Sequence, residues 1–253
     1  MATFEESQPW GSTTYQVVQG SHISFCTAHQ KVDLITNPCF GRMLFLDGVL
    51  QSASADEAMY HRALISPLTP QTVQTALILG GAEGAAAREV FCVYPGVKRV
   101  VMVDWDAELV DWMRRREAGE DELGAFADSR LTVIHTDANV FLCGEFSLFD
   151  AVFIDLLDPC EDTWEWLADV VVKSIARLSP EGTLRMNLGS DRAIIKKIIS
   201  YVRRAWPLWS IVPYCIFVPS FQEPWYLACI TQEPDQASLN LKHGAAFHDL
   251  GLE

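Results

Sequence analysis

Four carboxylates in this sequence stand where the chain leaves an apolar run. Glu83 lies in the loop LGGAEGA at 79–85, Asp104 ends RVVMVD, and Asp155 and Asp158 sit three residues apart in IDLLDP. At the carboxyl ends of neighbouring parallel strands they would share one crevice, the place where open α/β sheets bind ligands. Acids gathered this way repel one another unless a cation joins them. That cation is a metal or an organic ammonium and sulfonium. No His or Cys accompanies the acids at ligand spacing, so no metal centre is expected.

The neighbours of these acids narrow the ligand. Gly80 and Gly81 make a small-residue turn that lets backbone approach a nucleoside. The turn is not a G-x-G-x-x-G dinucleotide loop, because Ala82 and Glu83 occupy its middle. Glu83 would also set a negative charge against a pyrophosphate, which favours a ligand with positive charge and no phosphate. Asp104 follows the loop by about 20 positions, where such folds hold a ribose diol; the plainer alternative is a solvated strand end. Asp137-Ala138 in HTDA either receives an adenine amino group or caps a helix over NVFLCG. For Asp155 and Asp158 the plain alternative is a strand end followed by an Asp-Pro turn. His29, His61 and His135 read as structural or surface residues.

The rest of the chain must position these groups. Its 253 residues are 49% apolar and 21% charged, enough for one large core with a small appendage. A formal charge of -14 opposes a nucleic-acid partner and suits cationic ligands. Seven Cys, without CxxC spacing and mostly in runs such as VFCVYP and YLACIT, read as buried free thiols in a reducing compartment. The first residues have no signal-peptide pattern, and no apolar run has the length of a membrane span. A soluble, cytoplasmic protein is expected.

Residues 1–54 read as short strands and turns (YQVVQ, ISFCTA, KVDLIT, RMLFLDGVLQ), a small β-hairpin unit. SADEAMYHRALISPL reads as a helix with Ser54 as N-cap and Pro67 and Pro70 closing it. From there to about 235, apolar strands alternate with amphipathic helices: TALILGG, AEGAAAREVFCVY, RVVMVDWD, AELVDWMRRREAG, LTVIHTDA, FDAVFIDLLDP, a long helix WEWLADVVVKSIARLSPEG, TLRMNLG, DRAIIKKIISYVRRA, WSIVPYCIFVP and WYLACIT. This is the pattern of a Rossmann-like, doubly wound and mostly parallel sheet covered on both faces. Residues 236–253 read as a C-terminal tail.

The order of motifs resembles the polyamine aminopropyltransferases, meaning spermidine synthases and their thermospermine- and agmatine-related kin. FGRMLFLDGVLQSASADEAMYHRALISPL, ALILGGAEGAAAREV, VKRVVMVDWDAELV, FDAVFIDLLDP and PYCIFVPS follow the family's order over about 28–230. The resemblance implies a strand-rich N-terminal domain and a catalytic domain of the S-adenosylmethionine-dependent type. It implies decarboxylated S-adenosylmethionine as cosubstrate, no permanent cofactor, a di- or polyamine acceptor, and a homodimer or higher homo-oligomer. By position, Gln30 and Gln51 would contact the donor, Asp104 its ribose, Asp137 and Ala138 its adenine, and Glu83 its ammonium. Tyr60 and Asp155 would bind the attacking nitrogen, with Asp155 as general base, and His61 and Asp158 would line the amine channel.

The chain departs from the family at four places. Ala82 replaces a third Gly, His29 and Phe221 replace tyrosines, and CEDTWEWLADV after Pro159 is short for the family's gate. The donor side thus matches better than the acceptor side. Two competing readings are an S-adenosylmethionine methyltransferase and an idle homologue acting as a binding subunit.

Overall fold

The N-terminal strands are held together by antiparallel pairing. In the computed structural model, which describes residues 2–8, 11–66, 72–120, 124–144 and 147–232, β1 (Ala2–Gln8) and β2 (Gly11–Val17) form a hairpin. β3 (Ile23–Cys26), β4 (Lys31–Asn37), β5 (Gly41–Leu46) and β6 (Val49–Ala53) form a four-stranded meander. The strand β1 has no counterpart in the apolar pattern, because a buried acid tethers it. The Glu6 carboxylate accepts from the Tyr15 hydroxyl and the Leu50 amide, both at 2.8 Å.

Next comes α1 (Glu57–Ile65), which buries Tyr60, His61, Leu64 and Ile65. Ser54 is not its N-cap. The Ser54 hydroxyl instead accepts the Arg42 amide at 2.9 Å within the meander. Asp56 occupies the cap position, but its carboxylate turns to the Ser220 amide at 2.7 Å and hydroxyl at 3.0 Å. Tertiary partners therefore outcompete the local cap at both positions. Pro67, Pro70 and the tail at 236–253 lie outside the described residues.

The alternating region is β7 (Thr75–Gly80), α2 (Ala85–Val93), β8 (Arg99–Asp104), α3 (Ala107–Glu120), β9 (Leu131–His135), α4 (Ala138–Gly144), β10 (Phe149–Asp155), α5 (Trp164–Ile175), β11 (Leu178–Gly189), α6 (Arg192–Ala205), β12 (Ser210–Val218) and β13 (Glu223–Thr231). The seven strands run β12-β13-β11-β10-β7-β8-β9 across one sheet. Pairing is parallel from β11 to β9 and antiparallel through β13 and β12. Strand side chains alternate between faces, so adjacent residues enter opposite cores. Leu77, Val101 and Ile154 meet α4, α5 and α6 on one face, while Ile78, Met102 and Phe153 meet α1 and α2 on the other.

Two expectations change here. The helix α5 stops at Ile175, and β11 already begins at Leu178 and takes in Pro180 to Gly182, because proline disrupts a helix interior. The cysteines are not mostly buried: Cys26, Cys39, Cys92, Cys143 and Cys160 are exposed, Cys215 is half-buried, and only Cys229 is buried. An apolar run wound into a helix still turns part of its length outward, as at Cys92 and Cys143. Among the described residues no helix is long and apolar enough to cross a membrane.

Candidate active site

From β7 the chain winds outward through β8 to β9, then returns to β10 on the other side. That reversal opens a crevice beyond the ends of β7 and β10, where Gly80 and Asp155 face each other in register. A side chain at position 80 is excluded twice. The φ there is +87°, and a Cβ would lie 2.1 Å from the Asp155 carbonyl oxygen. Gly80→Ala is accordingly expected to lower stability by roughly 2–4 kcal/mol, through left-handed strain and displacement of the Asp155 strand end. Urea unfolding would check this against Gly96→Ala, where no atom lies within 4 Å of the added methyl.

Asp155 is held from two sides by α1. The Tyr60 hydroxyl donates to Oδ1 at 2.7 Å, and His61 Nε2 lies 3.2 Å from Oδ2. The His61 Nδ1 is 2.8 Å from the Glu57 carbonyl oxygen. Consecutive helical residues reach the same acid because Tyr60 approaches from one side and His61 from the other, their rings edge-to-face with centroids 5.0 Å apart. Burial, then the neighbouring Asp155, push the Tyr60 phenol well above its ordinary pKa, so it stays a donor.

Asp155 opens onto a cavity of about 650 Å³. Besides Glu83, Asp104, Asp137, Asp155 and Asp158, its wall carries Asp47, Asp56, Glu57 and Asp162, making nine carboxylates. No Lys or Arg is among its described lining residues. The crowding shows in the acidities. Burial, then Glu57 and Asp155, raise Glu83 to about 7 against the donated Ser52 hydroxyl. Burial lifts Asp104 to about 6, opposed by the Asp106 amide. Burial also lifts Asp158 to about 6, with Asp155 and Glu223 adding to it and the Asn187 amide at 2.9 Å opposing it.

Every site residue expected from the sequence lines this one cavity: Gln30, Gln51, Tyr60, His61, Gly80, Gly81, Glu83, Asp104, Asp137, Ala138, Asp155 and Asp158. Two of them also carry structural work. The Gln30 amide donates to Asp106 at 2.8 Å, and Asp137 Oδ1 accepts the Val140 amide at 3.0 Å at the start of α4. Of the structural and surface readings of His61, burial against Asp155 excludes the surface one.

Several lining residues escaped the sequence reading. Ser52 and Asp47 come from the meander, whose entry into the site no local pattern announces. Asn187 lies two residues before the end of β11, so strand-end logic could have found it; it orients Asp158 and accepts the Trp225 indole at 2.8 Å. Asp106 is fully buried and collects Thr27, Gln30 and the Leu109 amide, tying the β3–β4 turn to α3. Trp105 stands exposed at the cavity wall, stacked on His29 with centroids 4.7 Å apart. After Pro159 the chain makes one turn and enters α5 at Trp164, so Asp162, Thr163 and Trp166 line the mouth.

A switch-point crevice on a doubly wound sheet, closed by an antiparallel strand region, defines a Rossmann-like fold. Solved structures share the fold. A spermidine synthase from Thermotoga maritima superposes with a TM-score of 0.79 at 19% identity, over 93% of this chain and 80% of that one. A spermidine synthase in complex with the transition state analogue AdoDATO gives 0.81 at 19% identity, over 93% and 82%.

Sequence comparison goes further. The family model for the spermine/spermidine synthase domain matches residues 53–242, and that for the spermidine synthase tetramerisation domain matches 26–54. A polyamine aminopropyltransferase of Synechococcus sp. (strain JA-2-3B'a(2-13)) is 33% identical over 219 residues, 82% of this chain and 70% of that protein. Polyamine aminopropyltransferase 2 of Pseudomonas aeruginosa is 36% identical over 168 residues, 64% of this chain and 46% of that protein. The chain belongs to the spermine/spermidine synthase family, the polyamine aminopropyltransferases, and is a transferase.

Proposed function

We propose that this chain transfers the aminopropyl group of decarboxylated S-adenosylmethionine to a di- or polyamine and releases methylthioadenosine. The observation that carries this is the cavity itself: nine carboxylates and no described Lys or Arg on its wall. Apart from Glu57, which Arg88 pairs from behind, a ligand set with several positive charges compensates such a wall. A sulfonium that also bears an ammonium, beside an acceptor amine, is such a set. A methylating cosubstrate would bring a carboxylate against Glu83.

The donor binds on the β7–β8–β9 side. Gly80 and Gly81 let the protein backbone approach it, Asp104 accepts from the ribose hydroxyls, and Asp137 with Ala138 meets the adenine. Asp137 Oδ1 is taken by Val140, so its other oxygen receives the adenine amino group. Gln30 and Gln51 cover the donor from the meander, and Glu83 takes the aminopropyl ammonium. On the acceptor side Asp155 and Tyr60 hold the attacking nitrogen, while His61 and Asp158 line its channel.

An amine is protonated at neutral pH and has no free lone pair. Asp155 accepts one proton, and the freed pair forms the C–N bond. The C–S bond breaks with its electrons going to sulfur, so the leaving thioether is neutral and needs no acid. The carboxylates hold two cations in line that would otherwise repel. Assembly through residues 26–54 as a homo-oligomer follows the family match. Exposed free thiols at five positions fit a reducing, cytoplasmic setting.

The test is incubation with decarboxylated S-adenosylmethionine and, in turn, putrescine, agmatine, cadaverine and spermidine, with detection of methylthioadenosine. Product with one or more amines is expected. No product with any of them would overturn the proposal. A second reading, a binding subunit without turnover, draws on the short segment between Pro159 and Trp164. Tight methylthioadenosine binding with no turnover would select it.

A further inference from the structure

The ring of His61 has a fixed orientation problem, and its solution points to a role in the reaction. A carbonyl oxygen only accepts, so the 2.8 Å contact of Nδ1 with the Glu57 carbonyl keeps a hydrogen on Nδ1 in every ionisation state. A neutral His61 then presents a bare Nε2 lone pair to Asp155 Oδ2 at 3.2 Å. Asp155 Oδ1 is occupied by the Tyr60 hydroxyl at 2.7 Å, so the carboxylate cannot turn away without losing that bond. The contact is attractive only when one proton lies between Nε2 and Oδ2. One proton therefore lies between the two groups.

We propose that His61 is the proton store behind Asp155: the proton leaving the acceptor amine passes to Asp155 and on to His61 Nε2. The pair, and not the carboxylate alone, is then the base. This rests on the aminopropyl-transfer reading of the site. Arrival of a protonated amine supplies the positive charge the pair needs, and the resting proton departs to solvent. In the reaction an N–H bond of the ammonium breaks as an Oδ2–H bond forms. That bond breaks in turn as Nε2–H forms, and the amine lone pair forms the C–N bond while the C–S pair goes to sulfur. The stored proton leaves through the cavity when the products do.

The surroundings favour storage. Facing the pair are Tyr60 and Glu57 on α1, the latter paired with Arg88 of α2, and Glu83 on the β7–α2 loop. Asp158 follows β10, with Glu223 of β13 beyond it. Burial alone would pull the imidazole down. The hydrogen bond and charge of Asp155, the Glu57 carbonyl and the charge of Glu83 outweigh it and leave the ring raised above its ordinary value. His61 is thus an abler proton holder than a free imidazole, with only 6% of its surface exposed.

The experiment starts from an amine that the wild-type enzyme turns over, so failure of the underlying function appears before any variant is made. In His61→Gln the amide still donates to Asp155 but cannot take up a proton. The expected result is a roughly 10- to 100-fold fall in kcat, a KM for the amine within about threefold of wild type, and a displaced acid limb of the kcat pH profile. A His61→Gln enzyme with wild-type kcat and pH profile would overturn the proposal, and so would a rise in KM alone, which marks a simple lining residue. Nitrogen-15 spectra of histidine-labelled wild type decide independently of how the variant folds. Nδ1 should stay protonated throughout, and Nε2 should lose its proton when putrescine or spermidine saturates the site. An Nε2 that keeps its proton in the amine complex would sink the idea.

Discussion

Asp155→Asn should reduce kcat for aminopropyl transfer by about a thousandfold, within the range that removal of a general base commonly costs. The substitution is unusually clean at this position. Asn keeps an oxygen to accept the Tyr60 hydroxyl, now at 2.7 Å from Oδ1. Its amide can donate to His61 Nε2, which lies 3.2 Å from Oδ2 and is a natural acceptor once Nδ1 holds its hydrogen. No buried polar group is orphaned, so unfolding midpoints should move by only a few degrees. What disappears is the capacity to take a proton from the amine. Rate and stability measured on the same preparation separate the two effects. A variant that turns over at full rate would show that another of the nine acids is the base.

The second large effect is electrostatic and shows in stability against pH. Glu83 is raised from 4.5 to about 7, chiefly by burial. A shift of that size corresponds to roughly 3 kcal/mol of native-state cost at neutral pH. The sign follows from proton counting. Between about 4.5 and 7 the folded protein holds a proton on Glu83 that the unfolded chain has lost. Stability therefore falls as pH rises through that window. Asp104 and Asp158, raised from 3.8 to about 6, act in the same direction slightly lower. His61, also raised, contributes stability that is present below its unfolded value and lost as pH climbs past its folded one.

Asp128, paired with Arg130, and Asp150, which accepts the Gln74 and Thr75 amides, have depressed values, so their contribution is lost only under more acidic conditions. From pH 5 to 8 the empty protein should thus lose thermal stability. A bound polyamine should restore it, with a midpoint shift larger at pH 8 than at pH 5.5. Glu83→Gln should flatten the slope and shrink the difference. Equal polyamine shifts at the two pH values would count against the cavity as a polycation site.

Much of the architecture was legible because it is periodic. The apolar runs at Thr75–Gly80, Arg99–Asp104 and Phe149–Asp155 are continuous, as strands buried on both faces must be, and each became a parallel strand of the central sheet. Strand-end acids were legible for the same reason, since knowing where a strand stops locates its last side chain. What failed were local signals that lost to distant partners. Ser54 had the composition of a helix cap and was drawn to Arg42, and Asp56 was drawn to Ser220, far along the chain. The strand β1 was invisible because its hold is pairing with β2, the buried Glu6 and the packing of Phe4, and not an apolar stripe. Cys92 and Cys143 sit in apolar runs yet face solvent, because hydrophobic content does not say which way one residue of a helix points.

For the acid cluster itself the division is clear. Order along the chain, with an acid closing each of several buried strands and a small-residue turn before Glu83, determined by itself that carboxylates would gather at one edge of a sheet, and it is the ground for expecting a cationic ligand. Only the tertiary structure decided which groups surround Asp155. The return of the chain from β9 to β10 sets Asp155 beside Gly80, and the packing of α1 across that end brings Tyr60 and His61 onto its two oxygens. Sequence periodicity reports which face of an element is buried. It carries no term for which buried group, nearly a hundred residues away, completes a hydrogen bond.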